Sequence, residues 1–243
     1  MGRRVIMAPT MNYREIEQQL TTALNLTRRP VAIAFRDETP AGVPAFTGSQ
    51  PSGCSFWQLA ADGRVFSTAP ADHHNCPIGS YTHNIPLPPE REQELPQALG
   101  LMAGIGYIRM EEVGGIPRLA KTPAATIYAP LGDAPTAPDA VLVAGRPGSL
   151  MLLQEAALRA GSSLQPLFGR PTCMAIPAAL AGPVVSSLGC VGNRVYTSLS
   201  ADELYTVIPG GRVAAVAAEL ATIVSANQAL TEHHQGRLAT LRS

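Results

Sequence analysis

Apolar positions along the chain recur with two different periods, which predicts a mixture of helices and strands. The clearest helical period lies near the start, where Asn12 and Glu15 form a capping-box pattern ahead of an apolar stripe. This pattern predicts an amphipathic helix over 12–26. Further helices are predicted at 54–61, 88–103, 147–160 and 212–230, with a kink at Pro96 and a frayed polar tail from Thr231 onward.

Short apolar runs rich in β-branched residues predict buried strands. Such runs lie at 31–35, 64–68, 105–110, 124–129, 139–145, 184–188 and 204–208. The stretches between them are rich in Pro, Gly, Ser and Thr and are therefore expected to be loops, including the stretch with Pro166, Gly169 and Pro171.

Strands and helices alternate irregularly, so the fold class is α/β or α+β, with a mixed sheet flanked by helices. A Pro/Gly-rich linker at 131–138 separates two halves, 12–130 and 139–230, that share a rough order of elements. In each half the predicted order is a strand, a Pro/Gly-rich loop, a cysteine, a second strand, a cysteine followed closely by a glycine, and a helix. We therefore predict that residues 1–243 form a single globular domain built from two similar halves.

Composition limits the partners and the compartment. Hydrophobic residues make up 46% and charged residues 15%, which excludes disorder and favours a homo-oligomer with an apolar contact surface. The formal net charge is zero, so we expect neither nucleic acid nor an anionic membrane as a partner. Apolar stretches are interrupted before about 18 residues and Met1–Pro9 lacks a signal-peptide pattern, so we expect no membrane span and a cytoplasmic location.

The chain's chemistry is concentrated in its four cysteines. Cys76-Pro-Ile-Gly-Ser-Tyr-Thr and Cys190-Val-Gly-Asn-Arg-Val-Tyr-Thr echo each other, and each follows an upstream cysteine, Cys54 or Cys173. The pairs have 21 and 16 residues between them and no Cys-x-x-Cys occurs, which counts against ribbon-type zinc sites and thioredoxin-like chemistry. In a reducing compartment a disulfide framework is not expected either.

Single cysteines on separate loops are typical of iron–sulfur proteins, because the corners of a cluster can be reached from different elements. We therefore predict a four-iron four-sulfur cluster on these four cysteines. Gly79 and Gly192 would let backbone N–H groups approach its sulfurs. A structural zinc on the same four thiolates is an alternative.

A different interpretation is a metal-free small-molecule binding or regulatory domain. Free cysteine is among the most buried residue types and often serves only as a small apolar side chain. In this case the cysteines belong to the core and the two Gly…Tyr-Thr loops line a pocket.

Three residues are candidates for catalysis. Arg194 could bind a carboxylate or another small anion, which matters if only three cysteines ligate and an open iron acts as a Lewis acid. His74, beside His73, could be a ligand or a general acid/base, although a solvated loop pair is the simpler interpretation. Tyr196 could donate a proton, although packing is its commoner role. The expected partners are a small-molecule ligand or a redox partner, and the sequence does not specify the substrate.

The chain resembles a known family over nearly its whole length, from about Tyr13 to about Asn227. The resemblance is strongest in Gly189-Cys-Val-Gly-Asn-Arg and in Asp202-Glu-Leu-Tyr…Ile208-Pro, with support from Cys54-Ser-Phe-Trp and Cys76-Pro-Ile-Gly. The family is the domain of unknown function 169, a set of soluble prokaryotic proteins. The resemblance implies recurring cysteines but no established activity.

Overall fold

The computed structural model describes residues 12–167 and 170–242, and one seven-stranded sheet is its central element. The sequence predictions for Met1–Pro9 and for Gly169 fall outside the described residues. The strands, in chain order, are β1 (Val31–Arg36), β2 (Phe66–Thr68), β3 (Ala125–Pro130), β4 (Ala140–Gly145), β5 (Leu164–Leu167), β6 (Val184–Ser187) and β7 (Leu204–Pro209).

Eight α-helices are defined in the described ranges. They are α1 (Tyr13–Leu24), α2 (Gly53–Ala61), α3 (Pro77–Thr82), α4 (Glu94–Gly104), α5 (Pro147–Arg159), α6 (Ala175–Leu180), α7 (Val191–Thr197) and α8 (Val213–Arg242). The capping box predicted for α1 is confirmed, because the Glu15 N–H donates to the Asn12 side chain at 2.9 Å and the Asn12 N–H donates to Glu15 at 3.1 Å.

The strand order is β2-β3-β1-β4-β7-β6-β5. Among the described strands only β5 and β6 pair in parallel, and the other neighbours are antiparallel. The predicted mixed sheet flanked by helices is therefore confirmed, and its α+β form is the one observed.

The order of the strands is similar on the two sides of the centre of the sheet. β1 and β4 pair at the centre, β3 and β7 lie next to them, and β2 and β6 follow. In the first half α2 and α3 connect these three strands, and in the second half α6 and α7 occupy the matching connections. The extra elements of the second half are α5 and edge strand β5. A division into two similar halves remains a prediction.

Helices cover both faces of the sheet, because strand residues alternate between two apolar cores. On one face α1, α5 and α8 pack on β4 and β7 through Leu20, Leu153, Val216, Val141 and Ile208. On the other face α2 and α6 pack against the sheet through Phe56, Ile176, Ile33, Tyr128 and Val207. This second face carries the cysteines.

The Pro/Gly-rich stretch after β3 is held against α1. Leu131 is fully buried, the Gly132 N–H donates to Glu17 at 2.6 Å, and Asp133 pairs with Arg29 at 2.7 Å. These contacts fix the passage from β3 to β4 in place.

Two predictions near residue 100 are wrong. The run 105–110 forms a turn and the start of the 3-10 helix Met110–Gly115, because Gly106 at φ +73° breaks an extended path. The helix predicted from residue 88 begins at Glu94 after a 3-10 turn, Pro89–Arg91. Pro96 therefore lies in its first turn, where no intrahelical N–H bond is lost.

Strand β5 was not predicted, since Pro166 lies within it. Pro is tolerated there because β5 is the outermost strand and pairs only with β6 among the described residues.

The C-terminal helix is longer than predicted. The tail expected to fray from Thr231 is helical through Arg242. By length and composition alone, the region Gly210–Leu241 could cross a membrane, which the sequence analysis did not anticipate. Val213, Val216 and Leu220 pack against α1 and α5, but only 22% of the region's most apolar 18-residue window is buried.

Two buried histidines lie in the cysteine-side layer. His73 is 3% exposed, packs on Phe56 with ring centroids 5.0 Å apart, and its Nε2 lies 2.9 Å from the Thr68 hydroxyl. Burial lowers the pKa of His73 to about 3 and also lowers that of His83, whose ring is stacked 6.0 Å away. Both are therefore neutral in the folded protein at neutral pH.

The lowered pKa of His73 predicts that the free energy of unfolding decreases in mild acid. Between pH 6.5 and about 3 the unfolded chain binds a proton at residue 73 that the folded chain excludes, so the free energy of unfolding falls as pH falls. From pH 7 to pH 5 the loss is about 2 kcal/mol for His73. Urea unfolding of metal-free His73→Gln should show a pH dependence weaker by this amount. The exposed His234→Gln is the control and should keep the wild-type pH dependence; an unchanged dependence in His73→Gln would contradict the prediction.

Candidate functional site

All four cysteines line one cavity of about 630 Å³ on the second face of the sheet. Cys54 lies in the first turn of α2 and Cys173 in the 3-10 turn Thr172–Met174, and both are buried. Cys76 and Cys190 are the N-cap residues of α3 and α7 and are partly exposed. The structure thus brings together side chains that are up to 136 positions apart (190 − 54).

The two N-cap cysteines make the same kind of capping hydrogen bond. The Cys76 sulfur accepts from the Gly79 N–H at 3.3 Å, and the Cys190 sulfur accepts from the Asn193 N–H at 3.5 Å. In each case the donor is three residues on, as for a Ser or Asp cap. Sulfur therefore replaces oxygen as the capping acceptor at both helix starts.

The remaining sulfurs have polar side chains near them from the opposite half of the chain. The Asn193 side chain of α7 lies near Cys54 and the Thr82 hydroxyl of α3 near Cys173, and each would favour a thiolate there. In the chain as it stands the Thr82 hydroxyl donates to the Gly79 carbonyl at 2.9 Å. Cys76 has a second donor in the Gly53 backbone.

Burial keeps the isolated thiols neutral. It raises the pKa of Cys54 well above its usual range, and negative charge on Cys173, Cys76 and Cys190 would raise it further. Burial likewise raises the pKa of Cys173 and of Cys76, and the hydrogen-bond donors only partly offset this effect. A positively charged group at the centre would be needed to ionise these thiols together.

The two glycines predicted to flank the sulfurs differ in importance. A Cβ at Gly79 would lie 2.9 Å from the Cys76 sulfur, so only glycine allows the observed approach. Gly192 lines the cavity, but a Cβ there would meet only the Tyr196 ring at 3.8 Å, an ordinary contact. Close packing therefore requires glycine at position 79 but not at position 192.

Within residues 12–167 and 170–242, no three His, Cys, Asp or Glu side chains are close enough together to hold a single metal ion. Tetrahedral zinc with bonds of about 2.3 Å would draw its sulfurs to within about 3.8 Å of one another. A cluster of several metal atoms spaces its ligands more widely. The side chains as they stand share a cavity without forming a mononuclear site.

An unpartnered hydroxyl lies in the same core layer. Tyr128 is fully buried on β3, and its hydroxyl has no hydrogen-bond partner among the described residues. Burial raises its pKa, and charge on Cys54 and Cys173 would raise it further. Tyr128 shares the apolar core with both cysteines but does not line the cavity.

Arg194 does not have the predicted position. Its guanidinium donates to the backbone carbonyls of Leu188, Ser200 and Glu203, at 2.5, 2.6 and 3.0 Å. The side chain is not part of the cavity wall. It ties α7 to the flanking loops, so its hydrogen-bond partners are backbone carbonyls and it is not placed to bind an anion in the cavity.

The histidine prediction also needs correction. His74 follows the 3-10 turn Pro70–His73, is partly exposed and does not line the cavity. His73 is the buried member of the pair, so the two are not a solvated loop pair. Tyr196 does line the cavity with a 47% exposed side chain, and its carbonyl accepts from Ser55 at 3.3 Å.

Gly53, Thr82 and Asn193 are site residues that the sequence analysis did not identify. The Cys-x-x-Gly and Cys-x-x-Asn spacings at the two N-caps carry a local signal, since a cap bonds the N–H three residues on. The cross-half contacts of Thr82 and Asn193 depend on the tertiary fold and have no local signal.

Comparison with known proteins gives the family of the chain. It is 28% identical over 212 residues to uncharacterized protein MJ0308 of Methanocaldococcus jannaschii, an alignment covering 81% of this chain and 88% of that protein. A search of solved structures finds no match. The model of the domain of unknown function 169, described as uncharacterised ArCR, matches residues 19–219, and the chain belongs to this family.

Proposed function

We propose that the chain is a soluble cytoplasmic protein that binds a four-iron four-sulfur cluster through Cys54, Cys76, Cys173 and Cys190. The observation that supports the proposal is that four cysteines line one cavity, with backbone donors bonded to the sulfurs of Cys76 and Cys190 and polar side chains near those of Cys54 and Cys173. Thiolates and sulfides of such clusters accept hydrogen bonds, and these bonds help to set the reduction potential. A buried cysteine that only fills space has no need of them.

The chain's own residues would hold the group in defined ways. Gly53 and Gly79 would donate to the Cys76 thiolate, and Asn193 would bridge Cys54 and Cys190 through its side chain and backbone. Loading would release the thiol protons and so be favoured at higher pH. The bound cluster would supply electron transfer or, with one iron left open, Lewis acidity.

A metal-free binding domain is the second candidate. The burial of Cys54 and Cys173 and the raised pKa of both favour it, since neutral thiols can serve as apolar wall. A structural zinc is a third. Metal and sulfide content separates the three.

Anaerobically purified protein should be brown and contain about four iron and four acid-labile sulfide per chain. Each Cys→Ser change should lower both contents. Gly79→Ala should do the same because its Cβ would contact the Cys76 sulfur, whereas Gly192→Ala, the matched control, should keep the wild-type content. Colourless protein with neither iron nor sulfide would refute the cluster, and stoichiometric zinc without sulfide would replace it by the zinc site.

The hydroxyl of Thr82 should tune the cluster. In the metal-free chain the Thr82 hydroxyl donates to the Gly79 carbonyl, and with a cluster bound it would turn to the Cys173 thiolate. Thr82→Val removes that donor, which should destabilise the reduced state and lower the reduction potential by about 40 mV, equivalent to about 1 kcal/mol. Thr197→Val is the control. The Thr197 hydroxyl donates to the Asn193 carbonyl at 2.7 Å, just as the Thr82 hydroxyl donates to the Gly79 carbonyl at 2.9 Å. The other neighbour of the Thr197 hydroxyl is the Tyr205 hydroxyl. Potentiometric titration should give a shift only for Thr82→Val; equal potentials in both variants would contradict the assignment.

A further inference from the structure

A segment that contains α4 lines the same cavity as the cysteines. Leu99 and Met102 lie three residues apart on one face of α4 and line the cavity, and Tyr107, Ile108 and Val113 add to the same apolar lining. We call residues 89–117 the roof segment and the part of the lining that carries the four sulfurs the cysteine floor. The cavity is thus a chamber with a mainly apolar roof segment and a cysteine floor.

The roof segment has apolar side chains but no core of its own. No residue from 86 to 118 is buried, and this range includes the whole of α4 and the 3-10 helix Met110–Gly115. Helices in globular proteins derive most of their stability from burying an apolar face. The inward face of α4 obtains that burial only if something fills the space beneath it.

Polar contacts at its two ends hold the roof segment in place. Arg91 donates to the Asn75 side chain at 3.1 Å at one end. At the other end Arg118 donates to the Tyr81 carbonyl at 2.9 Å, and the Tyr81 hydroxyl donates to the Val113 carbonyl at 3.4 Å. These anchors position the roof segment without filling the chamber.

The charges on the chamber wall are already paired with each other. Glu112 of the roof segment and Arg170, three residues before Cys173, form an ion pair at 3.2 Å. Glu112 also pairs with Arg109 at 2.9 Å, and the Arg170 guanidinium lies 4.9 Å from the centre of the Tyr107 ring. A charged ligand would have to break these contacts, whereas an uncharged one leaves them intact.

We propose that this chamber binds a neutral, largely apolar organic molecule between the roof segment and the cysteine floor. Its volume of about 630 Å³ lies within the roughly 300–1,000 Å³ of ordinary ligand pockets. Apolar walls with a few polar groups are the usual composition of such pockets. The proposal does not rest on the iron–sulfur cluster, since the roof segment and its paired charges involve only residues of the chain.

The test uses reduced, metal-free full-length protein and the neutral fluorescent probe N-phenyl-1-naphthylamine. We expect saturable binding of one probe per chain with enhanced fluorescence. Leu99→Asp should weaken it roughly tenfold or more, because it places a charge in the apolar chamber. Leu101→Asp, on the same helix with a 66% exposed side chain, is the matched control and should bind as wild type.

Val113→Trp is a second variant that fills the chamber without adding charge, and it should also weaken probe binding. Hydrogen exchange of amides in 94–116 should slow when the probe is bound to wild-type protein, since the ligand supplies the missing burial. Absence of saturable binding, or equal weakening by Leu99→Asp and Leu101→Asp, would overturn the proposal. Because the protein is metal-free in this assay, neither result depends on whether iron is found.

Discussion

The antiparallel pairing of β1 with β4 is the contact on which the site depends. It joins Val31 to Leu142, Ala32 to Val141 and Ile33 to Ala140, and among the described strands it is the only ladder between the two halves of the sheet. A shift by one residue would send every side chain to the opposite face. The cysteines of one half would then no longer face those of the other.

Polar contacts at one end of this short ladder fix its register. The Asp139 carboxylate accepts from the Phe35 N–H and from the Arg36 guanidinium, both at 2.7 Å, while the Asp139 N–H donates to Ile33 at 2.9 Å. The bonds around Asp139 tie residues flanking β4 directly to β1, so three residue pairs suffice to align two halves of the chain.

The strands that could be predicted from sequence are short runs of buried apolar residues. β1, β2, β3, β4, β6 and β7 all overlap predicted runs, and most of their residues are buried. The two misses have separate causes. Edge strand β5 contains a proline, and in the run 105–110 Tyr107 and Ile108 line a cavity while Ile105 and Met110 are exposed, although the run has the composition of a strand.

The same distinction applies to the site. The two N-cap cysteines and Gly79 could be found in the sequence. A cap residue accepts from the N–H three residues on, and the Gly79 N–H donates to Cys76 in this way. The partners of Cys54 and Cys173 could not be found, because Asn193 and Thr82 reach them from the other half. Arg194 was misjudged since a lone cation near a cysteine suggests an anion, whereas nearby backbone carbonyls satisfy it.

The energetics of the sulfurs bear on whether this cavity has a structural or a functional role. A thiol used as an apolar core residue is favoured by burial, and nearby donors gain little from facing it. Here burial opposes ionisation of Cys54, Cys76 and Cys173, while polar groups near the same three atoms favour it. Burial therefore keeps these thiols neutral in the chain alone, and the polar groups would stabilise the thiolates if a cationic group were bound, as the proposed cluster requires.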